Sequence, residues 1–180
     1  MLAAGDAERG EKLAYTCLVC HGVEDYRNTE PSYRVPKLGG QKAAYLVAAI
    51  KGYRDGGRVE PTMKEQASGM TDTDINDVVA YISTLGSETV NAGGFANGSL
   101  DAAAMCSVCH GRNGISISPG WPTLAGQHED YLVHALNQYR DGKRKEATMT
   151  QTAATLTDTE IKRLARYYSS LEGLETTRIE

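Results

Sequence analysis

No stretch of 18 or more apolar residues occurs in this 180-residue sequence, so no membrane-spanning helix is encoded in it. A basic excess is missing too. The 19 Lys+Arg stand against 23 Asp+Glu, a formal net charge of −4, and leave no surplus to neutralise a phosphate backbone. No nucleic-acid partner is therefore expected. Residues 1–90 hold 10 basic against 13 acidic residues and residues 91–180 hold 9 against 10, so neither half departs from this balance. The start, Met1-Leu2-Ala3-Ala4-Gly5-Asp6, lacks a basic segment followed by an apolar run, and no signal peptide is visible. Phe and Trp occur once each against ten Tyr, which predicts small cores closed by rings that keep a polar handle.

Cysteine is equally scarce, and its placement is informative. All four fall in two pairs, Cys17-Leu18-Val19-Cys20-His21 and Cys106-Ser107-Val108-Cys109-His110. A lone Cys-x-x-Cys is compatible with a redox disulfide or half of a zinc site. Two pairs, each followed at once by His, fit a different task. The thiols add to the two vinyl groups at one haem edge, and the adjacent His ligates the iron from one face. A zinc site would place its pairs close together in one small knuckle. Two covalently attached haem c groups are expected. Such attachment is normally periplasmic in bacteria, so a periplasmic protein whose signal peptide has been removed is expected with them.

The two motifs belong to a repeat. They lie 89 residues apart, and Pro36-Lys37-Leu38-Gly39-Gly40-Gln41 returns 86 residues later as Pro122-Thr123-Leu124-Ala125-Gly126-Gln127. From there the match runs without a gap, through Tyr53-Arg54-Asp55-Gly56 with Tyr139-Arg140-Asp141-Gly142 and Thr71-Asp72-Thr73 with Thr157-Asp158-Thr159. About half the positions from Pro36 to Leu85 are identical in the second copy. The chain thus divides into an N-terminal domain over 1–88, a Gly- and Asn-rich linker over 89–98, and a C-terminal domain over 99–180. The pattern is all-α, with no convincing strand. Asp6 can cap a helix from Ala7 to Thr16, and Ala43 to Tyr53 repeats its apolar residues at helical spacing. Thr71 or Asp72 can cap a helix from Asp74 to Leu85. The segments after His21 and after His110 read as loops.

A second axial ligand, or an open position, separates a carrier from a catalyst. Met63 and Met149 occupy corresponding places in what reads as a polar loop, where a thioether has no evident core role. Met70 pairs with Leu156 just before the last helix and reads as core, while Met105 adjoins Cys106 at the attachment edge. His128 and His134 pair with Lys42 and Ala48 and read as surface residues. The segment Arg140 to Glu146 reads as a solvated loop; a sharper alternative makes Lys143 and Lys145 a docking site for an acidic partner.

Taken from Gly5 to Leu171, these residues resemble the dihaem cytochrome c4 family: both Cys-x-x-Cys-His motifs, the doubled Pro-x-Leu-x-Gly-Gln, the doubled Tyr-Leu at 45–46 and 131–132, and the two methionines. The resemblance implies two tandem class I cytochrome c domains related by a pseudo-twofold axis, with haem propionate edges facing one another. It implies His21 and His110 as proximal ligands and Met63 and Met149 as distal ones. The carbonyls of Pro36 and Pro122 would accept the proximal imidazole N–H. Gly10 would let the first and last helices cross closely, whereas the Ala-rich segment before Cys106 implies a shortened helix in the second domain. The function implied is a periplasmic electron carrier between a quinol-oxidising complex or dehydrogenase and a terminal oxidase, some of these partners being membrane-associated. Alternatives are the dihaem subunit of a larger dehydrogenase, such as a flavin-linked sulfide-oxidising complex, or an enzyme such as thiosulfate dehydrogenase or a dihaem peroxidase.

Overall fold

The structure, a computed structural model, describes residues 5–86 and 101–178. The linker expected over 89–98 lies outside these described residues, as does the edge of each flanking domain. Eight α-helices are present among the described residues: α1 (Ala7–His21), α2 (Ala43–Arg54), α3 (Pro61–Ser68) and α4 (Asp72–Ile82), then α5 (Ala104–His110), α6 (Glu129–Arg140), α7 (Ala147–Ala154) and α8 (Asp158–Ser169). A short 3₁₀ turn over Asp101–Ala103 leads into α5. Only isolated bridges, and no strands, occur among the described residues.

The helices begin where local chemistry directs. The Asp6 carboxylate accepts the backbone N–H groups of Glu8 and Arg9 and starts α1. Capping boxes open the last helix of each half, Thr71 with Asp74 and Thr157 with Glu160. Ile75, Val78, Val79 and Ile82 in α4, and Ile161, Leu164, Ala165 and Tyr168 in α8, repeat at helical spacing and are buried. Each half closes a small core on this face, Ala14, Leu46 and Val47 joining α4 in the first and Ala103 and Leu132 joining α8 in the second.

Three departures from the sequence reading are informative. Helix α1 does not stop at Thr16 but runs on through both cysteines to His21. The segments holding Met63 and Met149 are not loops but short helices, each opened by a glutamate: Glu60 accepts the N–H of Met63, and Glu146 accepts those of Thr148 and Met149. Their apolar pattern is too brief to register as periodicity. Finally, the chain beyond α8 is a strap. Leu174 N–H bonds Ala125 O in its own half, Gly39 and Glu175 exchange backbone hydrogen bonds, and the buried Thr177 hydroxyl donates to His21 O at 3.1 Å.

Gly10 is dictated by the crossing of α1 and α4. A Cβ there would lie 1.9 Å from Asp77 O, so the backbones touch. Arg9 joins both Asp74 and Asp77 at the same crossing, and Asp77 also accepts Asp6 N–H at 2.7 Å. In the second half the place of α1 is taken by the 3₁₀ turn, which packs against α8, and the seven-residue α5, the shortened helix expected from its Ala-rich sequence.

The two halves face each other about a pseudo-twofold axis. Arg58 and Arg144, equivalent in the repeat, form an antiparallel bridge, with Val59 N–H donating to Lys143 O and Lys145 N–H to Gly57 O. The loop after His21, which has no counterpart after His110, adds contacts of its own. Arg27 and Arg34 pair with Asp130 at 3.1 and 3.2 Å, and Tyr33 stacks on His134 with ring centroids 4.0 Å apart.

Candidate haem site

Each half delivers its motif on its first helix. In α1, Cys17, Cys20 and His21 fall within little more than one turn, so all three reach one side of the helix end; α5 does the same for Cys106, Cys109 and His110. The thiols of Cys17 and Cys106 are pushed up in pKa by burial, so they are protonated at neutral pH. None of the four cysteines is joined to another in a disulfide.

Both imidazoles are buried and held by one nitrogen. His21 Nδ1 lies 2.8 Å from Pro36 O, and His110 Nδ1 lies 2.9 Å from Pro122 O. A carbonyl can only accept, so Nδ1 carries the proton and Nε2 keeps its lone pair. Burial lowers the pKa of both imidazoles, against the opposing effect of these bonds, which keeps the rings neutral.

A cavity of about 590 Å³ is lined by both motifs, by Pro36 and Pro122, and by Met63 from α3 and Met149 from α7. All ten site residues expected from the sequence thus border one space that spans both halves. Its lining also includes Leu38, Leu46 and Ile82 from the first half and Leu124, Leu132 and Leu164 from the second. Met70 and Leu156 pack against the cores, as expected from their pairing, and Leu156 also borders the cavity. Met105 is two-thirds exposed.

Two histidines expected on the surface are buried or half-buried at the contact between the halves. His128 is 8% exposed, and His134 lies against Tyr33, with burial and the cations Arg144 and Lys143 pushing its pKa down to about 4. The sequence could not show this, because the covering surface belongs to the unrepeated loop of the other half.

The loop from Arg140 to Glu146 also departs from the expectation of a solvated segment. Lys143 and Lys145 are exposed, but their backbones pair with Val59 and Gly57. Arg144 is only 2% exposed. It sits over the Tyr131 and Tyr139 rings at 5.4 and 5.7 Å; its counterpart Arg58 sits over Tyr45 and Tyr53 at 5.2 and 5.5 Å. Each donates to a tyrosine hydroxyl at 3.2 Å, Arg58 to Tyr45 and Arg144 to Tyr131. Among the described residues neither meets a carboxylate at ion-pair distance, although both line the cavity. Two sequestered guanidiniums without counterions are costly, so the cavity is prepared for anionic groups as well as for a large apolar ring. Haem, apolar with two propionates, satisfies both requirements. The signal for these arginines was present in the sequence as identity across the repeat.

Two further buried residues cross between the halves. Gln41 bonds the main chain of Thr123, and Gln127 bonds that of Lys37, as the repeat symmetry requires.

The cytochrome c family model matches residues 7–86 and 95–172. Cytochrome c4 of Stutzerimonas stutzeri is 34% identical over 193 residues, covering 94% of this chain and 90% of that protein. The thiosulfate dehydrogenase electron acceptor of Stutzerimonas stutzeri strain A1501 is 27% identical over 179 residues, covering 91% and 82%. The solved cytochrome c4 of Acidithiobacillus ferrooxidans superposes with a TM-score of 0.70 at 27% identity, covering 88% of this chain and 99% of that one.

Proposed function

Since this chain belongs to the dihaem cytochrome c4 family, an electron-transfer protein of two tandem domains carrying two covalently bound haem c groups, we propose that both irons are held between His and Met and that the protein shuttles electrons in the periplasm. The observation that carries this reading is the shared cavity, to which each half brings a Cys-x-x-Cys-His motif and one methionine. When bound, each haem supplies a ferric/ferrous couple. The chain's part is to attach, ligate and shield. Cys17 and Cys20 fix one haem and Cys106 and Cys109 the other. His21 and His110 offer Nε2 to the iron, while Pro36 and Pro122 fix the ring planes. Met63 and Met149 offer thioether sulfurs, ligands that favour the ferrous state relative to a second imidazole. With both positions filled in each half, no open coordination site remains for substrate, which favours a carrier over a peroxidase or a thiosulfate-oxidising enzyme.

The partners that suit this reading are a quinol-oxidising complex or a dehydrogenase as donor and a terminal oxidase as acceptor. Similarity to a thiosulfate dehydrogenase electron acceptor supports a dehydrogenase on the donor side. Replacing Met63→Ala or Met149→Ala in the haem-loaded protein tests the ligation. Each change should turn one haem high-spin and leave the other low-spin, while the parent protein accepts two electrons per chain and passes both to an oxidase. Two low-spin haems in either variant would refute the assigned methionine.

A further inference from the structure

The peptide link between Pro36 and Lys37 is used at both ends. Its carbonyl accepts the Nδ1 proton of His21 at 2.8 Å, and its N–H donates to Gln127 Oε1, from the other half, at 2.9 Å. The link between Pro122 and Thr123 is the mirror image: its carbonyl accepts from His110 at 2.9 Å, and its N–H donates to Gln41 Oε1 at 2.9 Å. The same amides return the contact, Gln127 Nε2 to Lys37 O and Gln41 Nε2 to Thr123 O, each at 3.0 Å. Their orientation is fixed. Gln127 Oε1 also accepts His128 N–H at 3.1 Å, and Gln41 Oε1 accepts Lys42 N–H at 2.9 Å. A flipped amide would set its NH₂ against two N–H donors. Gln41 and Gln127 are buried, at 9% and 4% exposure, so water does not replace them.

We propose that Gln127 and Gln41 are crossed positioning residues, each setting the reduction potential of the haem in the opposite domain through that domain's proximal histidine. The proposal rests on the assignment of His21 and His110 as iron ligands. A peptide whose N–H is engaged by an acceptor is more polarised, so its carbonyl accepts more strongly from the imidazole. A histidine with a stronger Nδ1 acceptor is more basic at Nε2 and stabilises ferric iron. Removing the glutamine amide weakens this chain of bonds and favours the ferrous state. The effect lands one domain away from the substitution, because each glutamine ends on the peptide that holds the other half's histidine.

The test is redox titration of the haem-loaded variants Gln127→Leu and Gln41→Leu, with the two haems resolved by their ring-methyl proton resonances. Gln127→Leu should raise the ferrous/ferric ratio of the haem on Cys17 and Cys20 by about threefold at a fixed applied potential, and shift the His21 Nδ1 proton resonance, with less change at the other haem. Gln41→Leu should do the same to the haem on Cys106 and Cys109. Gln127→Glu keeps both size and acceptor, and should move the same haem in the opposite direction. Shifts confined to the domain carrying the substitution, equal shifts at both haems, or Gln127→Glu moving the same way as Gln127→Leu would overturn the proposal. The near-infrared sulfur-to-iron band of the parent protein separates the two questions: its absence strikes the ligation, whereas its presence with uncrossed shifts strikes only the clamp.

Discussion

A buried imidazole with one nitrogen committed to a carbonyl has one direction left in which to act. That constraint, set at His21 by Pro36 and at His110 by Pro122, decides the chemistry at the smallest scale. Other residues act through contact alone. Gly10→Ala puts a methyl group 1.9 Å from the Asp77 carbonyl oxygen, and should destabilise the N-terminal domain by about 2–3 kcal/mol in chemical denaturation of the haem-loaded protein. Beside it, bonds from the Thr71 hydroxyl and backbone N–H, and then the Arg9 guanidinium, hold the Asp74 carboxyl at about 2. That is below the ordinary value of about 3.9, so its stabilisation is complete above about pH 4 and is lost as pH falls toward about 2. Asp74→Asn should therefore be less stable than the parent at neutral pH, with the difference shrinking as pH falls from about 4 through about 2; a constant difference across that range would contradict the assignment. At this scale the sequence showed cysteines, histidines and methionines plainly. It misplaced His128 and His134, because burial by a non-repeated surface leaves no periodic trace.

Elements were legible wherever a cap and an apolar face occur together. Thr71 with Asp74, and Thr157 with Glu160, announce α4 and α8. The eight-residue helices α3 and α7 escaped because a glutamate cap and two turns give too little pattern to separate from a polar loop. The C-terminal strap was equally hidden: Leu174 and Thr177 lie outside any repeat match, and their partners are main-chain groups that carry no sequence signature. Thr177→Val removes a buried hydroxyl and leaves His21 O without that donor, which should cost about 1 kcal/mol. Truncation before Leu174 should further expose the Gly39 amide to hydrogen exchange, since its bond to Glu175 would be gone. Exchange at Gly39 unchanged by truncation would show that the strap is dispensable.

At the scale of the whole molecule, two small cores border one cavity, and neither core fills it. A haem-free chain should accordingly be poorly folded, with much less helix by far-ultraviolet dichroism than the haem-loaded protein. The repeat made the doubled site visible from sequence, and the identity of Arg58 with Arg144 and of Gln41 with Gln127 marked the residues that meet across the axis. That both glutamines bond the main chain of the opposite domain, while each arginine side chain packs on tyrosines of its own, required coordinates. Arg144→Gln removes a buried cation lining the cavity and should make the haems harder to reduce, as read by spectroelectrochemical titration. The most direct test of the account is near-infrared magnetic circular dichroism of the oxidised protein, calibrated per haem. Two His/Met haems should give a sulfur-to-iron band of twice the single-haem intensity and no high-spin signal. A band from one haem only, or a high-spin or thiolate-ligated signature at either, would contradict it.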